Sequence, residues 1–254
     1  MSLAHRKLGR TEVRVPTLIW RLTGPPDPDM LRACTEASTT WAYIPHATPL
    51  NTVRAAAMDG WSYVIGVEME ALRTRVVQPL EEKLSSLGAR QCAAVMVESP
   101  TSMGVKAGWP FHRLSQLRDR GVTSQFWVDT DDVQVAEWIV EQTPAHAVVV
   151  GYGHADQAAR YRLFNAARDM GVAVIGKPLG REMNLEDVRL CSSEPGLTTQ
   201  MIDLPNDLPT LNRLLEAMQM DLTGPELDAA WDAYAKAHSE PPRPKGAHPP
   251  EFGS

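Results

Sequence analysis

The stretch "LRTRVVQPLEEKLSSLGARQCAAVMVES", residues 72–99, holds the two periodicities from which the fold is read. Leu72, Val76, Leu80, Leu84 and Leu87 recur every three or four residues, which lines one face of a helix, and Gly88 suits its end. A few residues later QCAAVMVES is an apolar run of strand length. One amphipathic helix delivering one buried strand is the repeating unit of an α/β fold.

That unit recurs on both sides. Residues 6–20, RKLGRTEVRVPTLIW, read as a short hairpin leading into a first strand. AYIPHA (42–47) and YVIGVEME (63–70) are strands two and three. SQFWVDT, HAVVVGYG, GVAVIGKP and TTQMIDLP continue the series beyond residue 123. Helical spacing is expected in PDPDMLRACTEAST (26–39) and at 110–120, 131–142, 155–169, 207–220 and 224–237. Eight strand–helix units in 254 residues predict a single (β/α)8 TIM barrel over residues 1–238, preceded by a β-hairpin. A doubly wound sheet is the competing architecture, but no GxGxxG turn follows a strand. The proline-rich tail, 239–254, is expected to be disordered, and its last four residues have the look of a cloning scar.

Composition narrows the function classes. The formal net charge is −6 and no basic cluster is present, which argues against a nucleic-acid partner. No run approaches eighteen apolar residues, and the N-terminus lacks a signal-peptide pattern, so no membrane partner and a soluble, cytoplasmic protein are expected. Cys34, Cys92 and Cys191 are widely spaced with no CxxC pair, and read as reduced and buried.

Several blocks resemble the aldo-keto reductases. RKLGRTEVRVPTLIW resembles that family's N-terminal hairpin, LGRTGLKVS, and LRACTEASTTWAYI its first helix and second strand. LEEKLSSLGARQCAAVMVESP is similar to the third helix and fourth strand, LRRLGTDYIDLLLIHWP in the family. RLFNAARDMGVAVIGKPLG resembles the approach to strand seven, and PGLTTQMI the eighth strand. The resemblance implies the family's barrel. It does not carry the family's chemistry, in which NADPH gives hydride to a carbonyl and a tyrosine protonates the alkoxide. The DTAxxYG motif falls on residues 45–51, so Pro45 stands for the aspartate and Leu50 for the tyrosine. The lysine position falls on Val67 or Glu68, and the histidine position on Glu98.

The family's cofactor contacts are replaced as well. Val128-Asp129-Thr130-Asp131 stands for its Ser-Asn pair, Val149 for its amide-binding glutamine, and Gly176-Lys177 for its stacking tyrosine. Asp203-Leu204-Pro205-Asn206-Asp207 replaces its phosphate loop; carboxylates repel phosphate and Pro205 lacks a donor. NADPH binding is expected to be lost, leaving no cofactor and no metal.

Active sites of such barrels lie at the carboxyl ends of the strands. Those ends carry Arg21, His46, Glu68 with Glu70, Glu98, Asp129, Tyr152 with His154, and Lys177. Glu98, Lys177, His46, Asp129 and Glu68 are the candidate catalytic residues. Arg21, Trp20, Trp127 and Tyr152 are candidates for binding a small-molecule substrate. Plain structural roles compete: a Glu98–Lys177 ion pair, a helix-capping Asp129, a loop histidine, tryptophans packed in the core. The favoured expectation is a non-redox enzyme using acid–base residues for elimination, isomerisation or cyclisation of a small carbonyl compound. The alternatives are an inactive relative acting as a binding or regulatory subunit, and an atypical oxidoreductase with Tyr152 or Lys177 as proton donor. A homo-oligomer is compatible with either.

Overall fold

The computed structural model describes residues 2–74, 77–98, 109–152, 157–178, 185–219 and 222–237. Strands β1 (His5–Lys7) and β2 (Arg14–Pro16) form an antiparallel hairpin. Eight parallel strands follow: β3 (Leu18–Arg21), β4 (Trp41–Ile44), β5 (Ser62–Glu68), β6 (Ala94–Glu98), β7 (Phe126–Asp129), β8 (Ala147–Tyr152), β9 (Ala173–Pro178) and β10 (Thr199–Asp203). They close as β10-β3-β4-β5-β6-β7-β8-β9, with β10 paired to both β3 and β9. The predicted barrel and hairpin are both present.

Strand alternation sorts each residue to one of two cores. Trp41, Val64, Met96, Trp127, Val149 and Ile175 face the barrel interior, where Leu8 and Val15 of the hairpin join them and plug one end. The Trp41 and Trp127 rings stack with centroids 6.1 Å apart. The intervening residues, among them Trp20, Ile44, Ile65, Val97, Phe126 and Val148, face helix residues such as Leu31, Leu80, Ile139, Leu163 and Leu211. The hairpin turn is fastened by Gly9: its φ is +52°, and an added Cβ would lie 2.4 Å from the Gly171 carbonyl oxygen. That carbonyl accepts from Arg10 N at 2.7 Å.

The helices start where the sequence offers a cap. Asp27 accepts from Asp29 N ahead of Pro28–Glu36, Asp132 from Gln134 N ahead of Val133–Gln142, and Asp207 from Thr210 N ahead of Leu208–Ala217. Cys34 and Cys92 are buried free thiols, pushed up to about 12 and about 11 by desolvation.

Some expected boundaries shift. The helix read over 72–88 is seen as Ala71–Thr74 and Val77–Ser86. The second strand ends at Ile44, because Pro45 has no N–H to extend the ladder and its carbonyl instead accepts from Thr48 N. Helices Leu50–Ala55 and Leu185–Ser193 were not expected. The second has no clean apolar stripe: Val188 and Leu190 are buried while Leu185 is exposed. The tail at 239–254 lies outside the described residues. No described helix is long and apolar enough to cross a membrane.

Candidate active site

The parity that turns Trp127 and Met96 inward also turns their neighbours two residues on, and at the strand ends those are charged. Register sets Glu68 beside Glu98 and Glu98 beside Asp129, while Asp203 sits beside Arg21. Three candidate catalytic residues, Glu68, Glu98 and Asp129, therefore share one rim with Lys177, on β9, and His46 joins them from the loop after β4.

His46 is held from both sides. Its Nδ1 lies 2.6 Å from Glu98 Oε2 and its Nε2 lies 2.6 Å from Glu68 Oε1. Two carboxylates can only accept, so both contacts are hydrogen bonds when both ring nitrogens carry protons or when one carboxyl does. Glu98 is the inner member: its Oε1 also accepts from His46 N at 2.9 Å and from the Tyr43 hydroxyl. Glu68 is the outer one, about half exposed.

Gly66 makes this arrangement possible. It lies on β5 one inward position below Glu68, and a Cβ there would sit 1.8 Å from Glu98 Oε1 and 2.8 Å from His46 N. The Glu98 carboxylate occupies the space that a side chain would fill. Burial, then the adjacent Glu98, pushes the Tyr43 phenol far above its ordinary value, so it stays a neutral donor.

A second network stands on β7 and β9. Lys177 Nζ pairs with the Asp129 carboxylate and lies 3.1 Å from Asp131 Oδ1. Burial raises the pKa of Asp129, against which the Lys177 charge works. Arg21 Nε is 3.7 Å from Asp203 Oδ1 at the β3–β10 seam.

Several expectations change. Trp20 does not line a pocket: it is fully buried toward the helices, and its Nε1 donates to Thr39 Oγ1. Trp127 does face inward, but it is fully buried below the rim, stacked on Trp41, with Nε1 on Gln125 Oε1. The Glu98–Lys177 ion pair does not form, because His46 takes Glu98 and two aspartates take Lys177. Asp132, not Asp129, caps the following helix. Glu70 lies in the turn after β5 and is exposed. Tyr152 ends β8, with its side chain outside the described residues, as is all of His154. The sequence reading passed over Tyr43 and Gly66. Tyr43 had a signal: it stands two residues from Trp41 and two from the loop, on the inward parity.

The described residues poorly suit a nicotinamide dinucleotide. Where the fold family places a phosphate loop, Asp203 is at the rim, and Asp207 already fills the start of the Leu208–Ala217 helix by accepting from Thr210 N at 2.8 Å. Pro209 in that first turn has no N–H to offer. Where an amide-binding glutamine would stand, Val149 is buried in the apolar interior. Among the described residues no three of His, Cys, Asp and Glu converge in a metal-holding geometry.

No protein-family model and no curated protein matches this chain. Solved structures do. A thermostable aldo-keto reductase in complex with the inhibitor epalrestat is 16% identical, covering 91% of this chain and 100% of its own, with a TM-score of 0.72. An aldo-keto reductase from Bacillus halodurans, in its holo form, is 12% identical over 98% of this chain and 100% of its own, with a TM-score of 0.72. At these identities the likeness establishes the architecture: this chain folds as the aldo-keto reductase (β/α)8 barrel, with the hairpin at its closed end and a charged ring at its mouth.

Proposed function

We propose that this protein is a non-redox enzyme on the aldo-keto reductase fold. It carries out acid–base chemistry (elimination, isomerisation or cyclisation) on a small carbonyl compound without NADPH. The observation that carries the reading is His46 held between Glu68 and Glu98, with each ring nitrogen 2.6 Å from a carboxylate oxygen. Glu68 is the more exposed member and exchanges protons with substrate, and His46, bonded to both carboxylates, relays them. Glu98, with its oxygens taken by Tyr43, His46 N and the ring, orients the imidazole and balances its charge. In the reaction a base of this trio takes the proton next to the carbonyl, the C–H electron pair moves toward the carbonyl oxygen, and Lys177 faces the growing oxyanion. The proton taken up by the trio then returns, through Glu68, to the product oxygen or the leaving group.

A test without a known substrate is solvent exchange: incubation with carbonyl compounds in D2O, following deuterium entry at the α-carbon by NMR. The wild type is expected to exchange at least one class of compound, and His46→Gln and Glu98→Gln to slow it by roughly 10²–10⁴-fold with folding retained. Unchanged exchange in both variants sinks the assignment. Millimolar NADPH should leave the melting temperature unmoved; a ligand at 100 times its Kd would stabilise the fold by about 2.7 kcal/mol, so a micromolar Kd would restore the oxidoreductase reading.

One observation favours a second reading, a non-catalytic binding or regulatory subunit. The mouth charges pair with one another: His46 with two glutamates, Lys177 with two aspartates, Arg21 with Asp203. No exchange with any compound, together with lowered thermal stability alone in Glu98→Gln and Lys177→Met, selects it.

A further inference from the structure

Lys83 lies on the Val77–Ser86 helix outside the barrel, yet its side chain runs inward and is buried. Its Nζ donates to Pro45 O at 2.7 Å and to His46 O at 2.8 Å. The same two-residue segment is gripped on its other side, where His46 N and both ring nitrogens meet Glu98 and Glu68. A lysine is an expensive means of tying a loop. Burial lowers its pKa to about 8, with only the charge of Glu98 opposing. A neutral side chain could cover the same apolar surface without that cost. What the ammonium adds is two charge-assisted bonds to consecutive carbonyls, which fix the orientation of the Pro45–His46 peptide.

We propose that Lys83 is a positioning residue for the acid–base site: by clamping the Pro45 and His46 carbonyls it holds the His46 imidazole between Glu68 and Glu98. The assignment rests on the acid–base reading for its meaning but not for its test. Without the clamp, the peptide can rotate about its flanking bonds, and His46 leaves the carboxylates for solvent. Lys83 touches neither substrate nor reacting atoms and acts through His46 alone.

The test is carbethoxylation by diethyl pyrocarbonate on the full chain, read per histidine by peptide mass spectrometry. His46 should react slowly in the wild type, because both ring nitrogens are hydrogen-bonded. Lys83→Met should raise the His46 rate about tenfold, the ratio that loss of one charge-assisted hydrogen bond gives, and Lys83→Arg should restore slow reaction. His146, whose Nδ1 accepts from Phe126 N elsewhere in the barrel, is the internal reference and should not change. An unchanged His46 rate in Lys83→Met overturns the proposal. So does parallel acceleration of His46 and His146, which marks general loosening. If Lys83→Met does not fold, Lys83→Gln is read by the same criteria. Failure of the exchange assay in D2O would remove the enzyme reading while leaving this rate difference intact, so the two can fail separately.

Discussion

The barrel interior has two levels built from the same strands. On β6 the inward residues run Ala94, Met96, Glu98; on β7, Trp127 then Asp129; on β9, Ala173, Ile175, Lys177. One inward step, about 6.6 Å of strand rise, separates a fully buried apolar layer from a ring of ion pairs. The lower level closes by area, through the Trp41–Trp127 stack and the hairpin's Leu8 and Val15. The upper level closes by pairing, since each described charge there has an opposite charge within reach. The first arrangement is paid for by desolvating carbon; the second costs desolvation of charge and is retained where a site can use it.

The contrast predicts where stability resides. Trp127→Ala should open a cavity in the lower level and cost about 3–5 kcal/mol in chemical denaturation. A loss under 1 kcal/mol would mean that the lower layer is not the mechanical floor. At the seam between levels, Gly66→Ala should cost about 2 kcal/mol, because its methyl group must displace the Glu98 carboxylate or the His46 peptide. Its His46 should also become quicker to carbethoxylate, an effect that Trp127→Ala should not show in its folded fraction.

The smallest effect lies behind the upper level, at Lys83. Its folded pKa, about 8, is below the ordinary 10.5, so between these values the unfolded chain holds the proton and the folded chain has released it. Stability contributed by Lys83 therefore rises with pH across that window. From pH 7 to 9 the wild type should gain about 1.4 kcal/mol relative to Lys83→Met, measured by urea unfolding of both proteins. Parallel stability profiles would mean that the lysine is not desolvated as described.

Much of this was legible in the sequence because the signals are local. Alternation in FWVD and AVMVE gives the inward set, and with it Glu98 and Asp129 at the rim. The same logic should have drawn attention to Tyr43, which the apolar run around it concealed. Trp20 and Trp127 were harder: one faces the helices and the other the interior, and a tryptophan near a strand end looks alike in both settings.

The sequence by itself determined the alternation of helix and strand, the hairpin and the parity of each strand. Only the tertiary structure decided who pairs with whom. Glu98 meets a histidine 52 residues away, Lys177 an aspartate 48 away, and Lys83 reaches carbonyls 37 and 38 residues back. Side-chain direction has a period of two along one strand and is written locally. Partnership across the mouth depends on the stagger of separate strands around a closed barrel, and on the gap that one glycine leaves, which no single segment encodes.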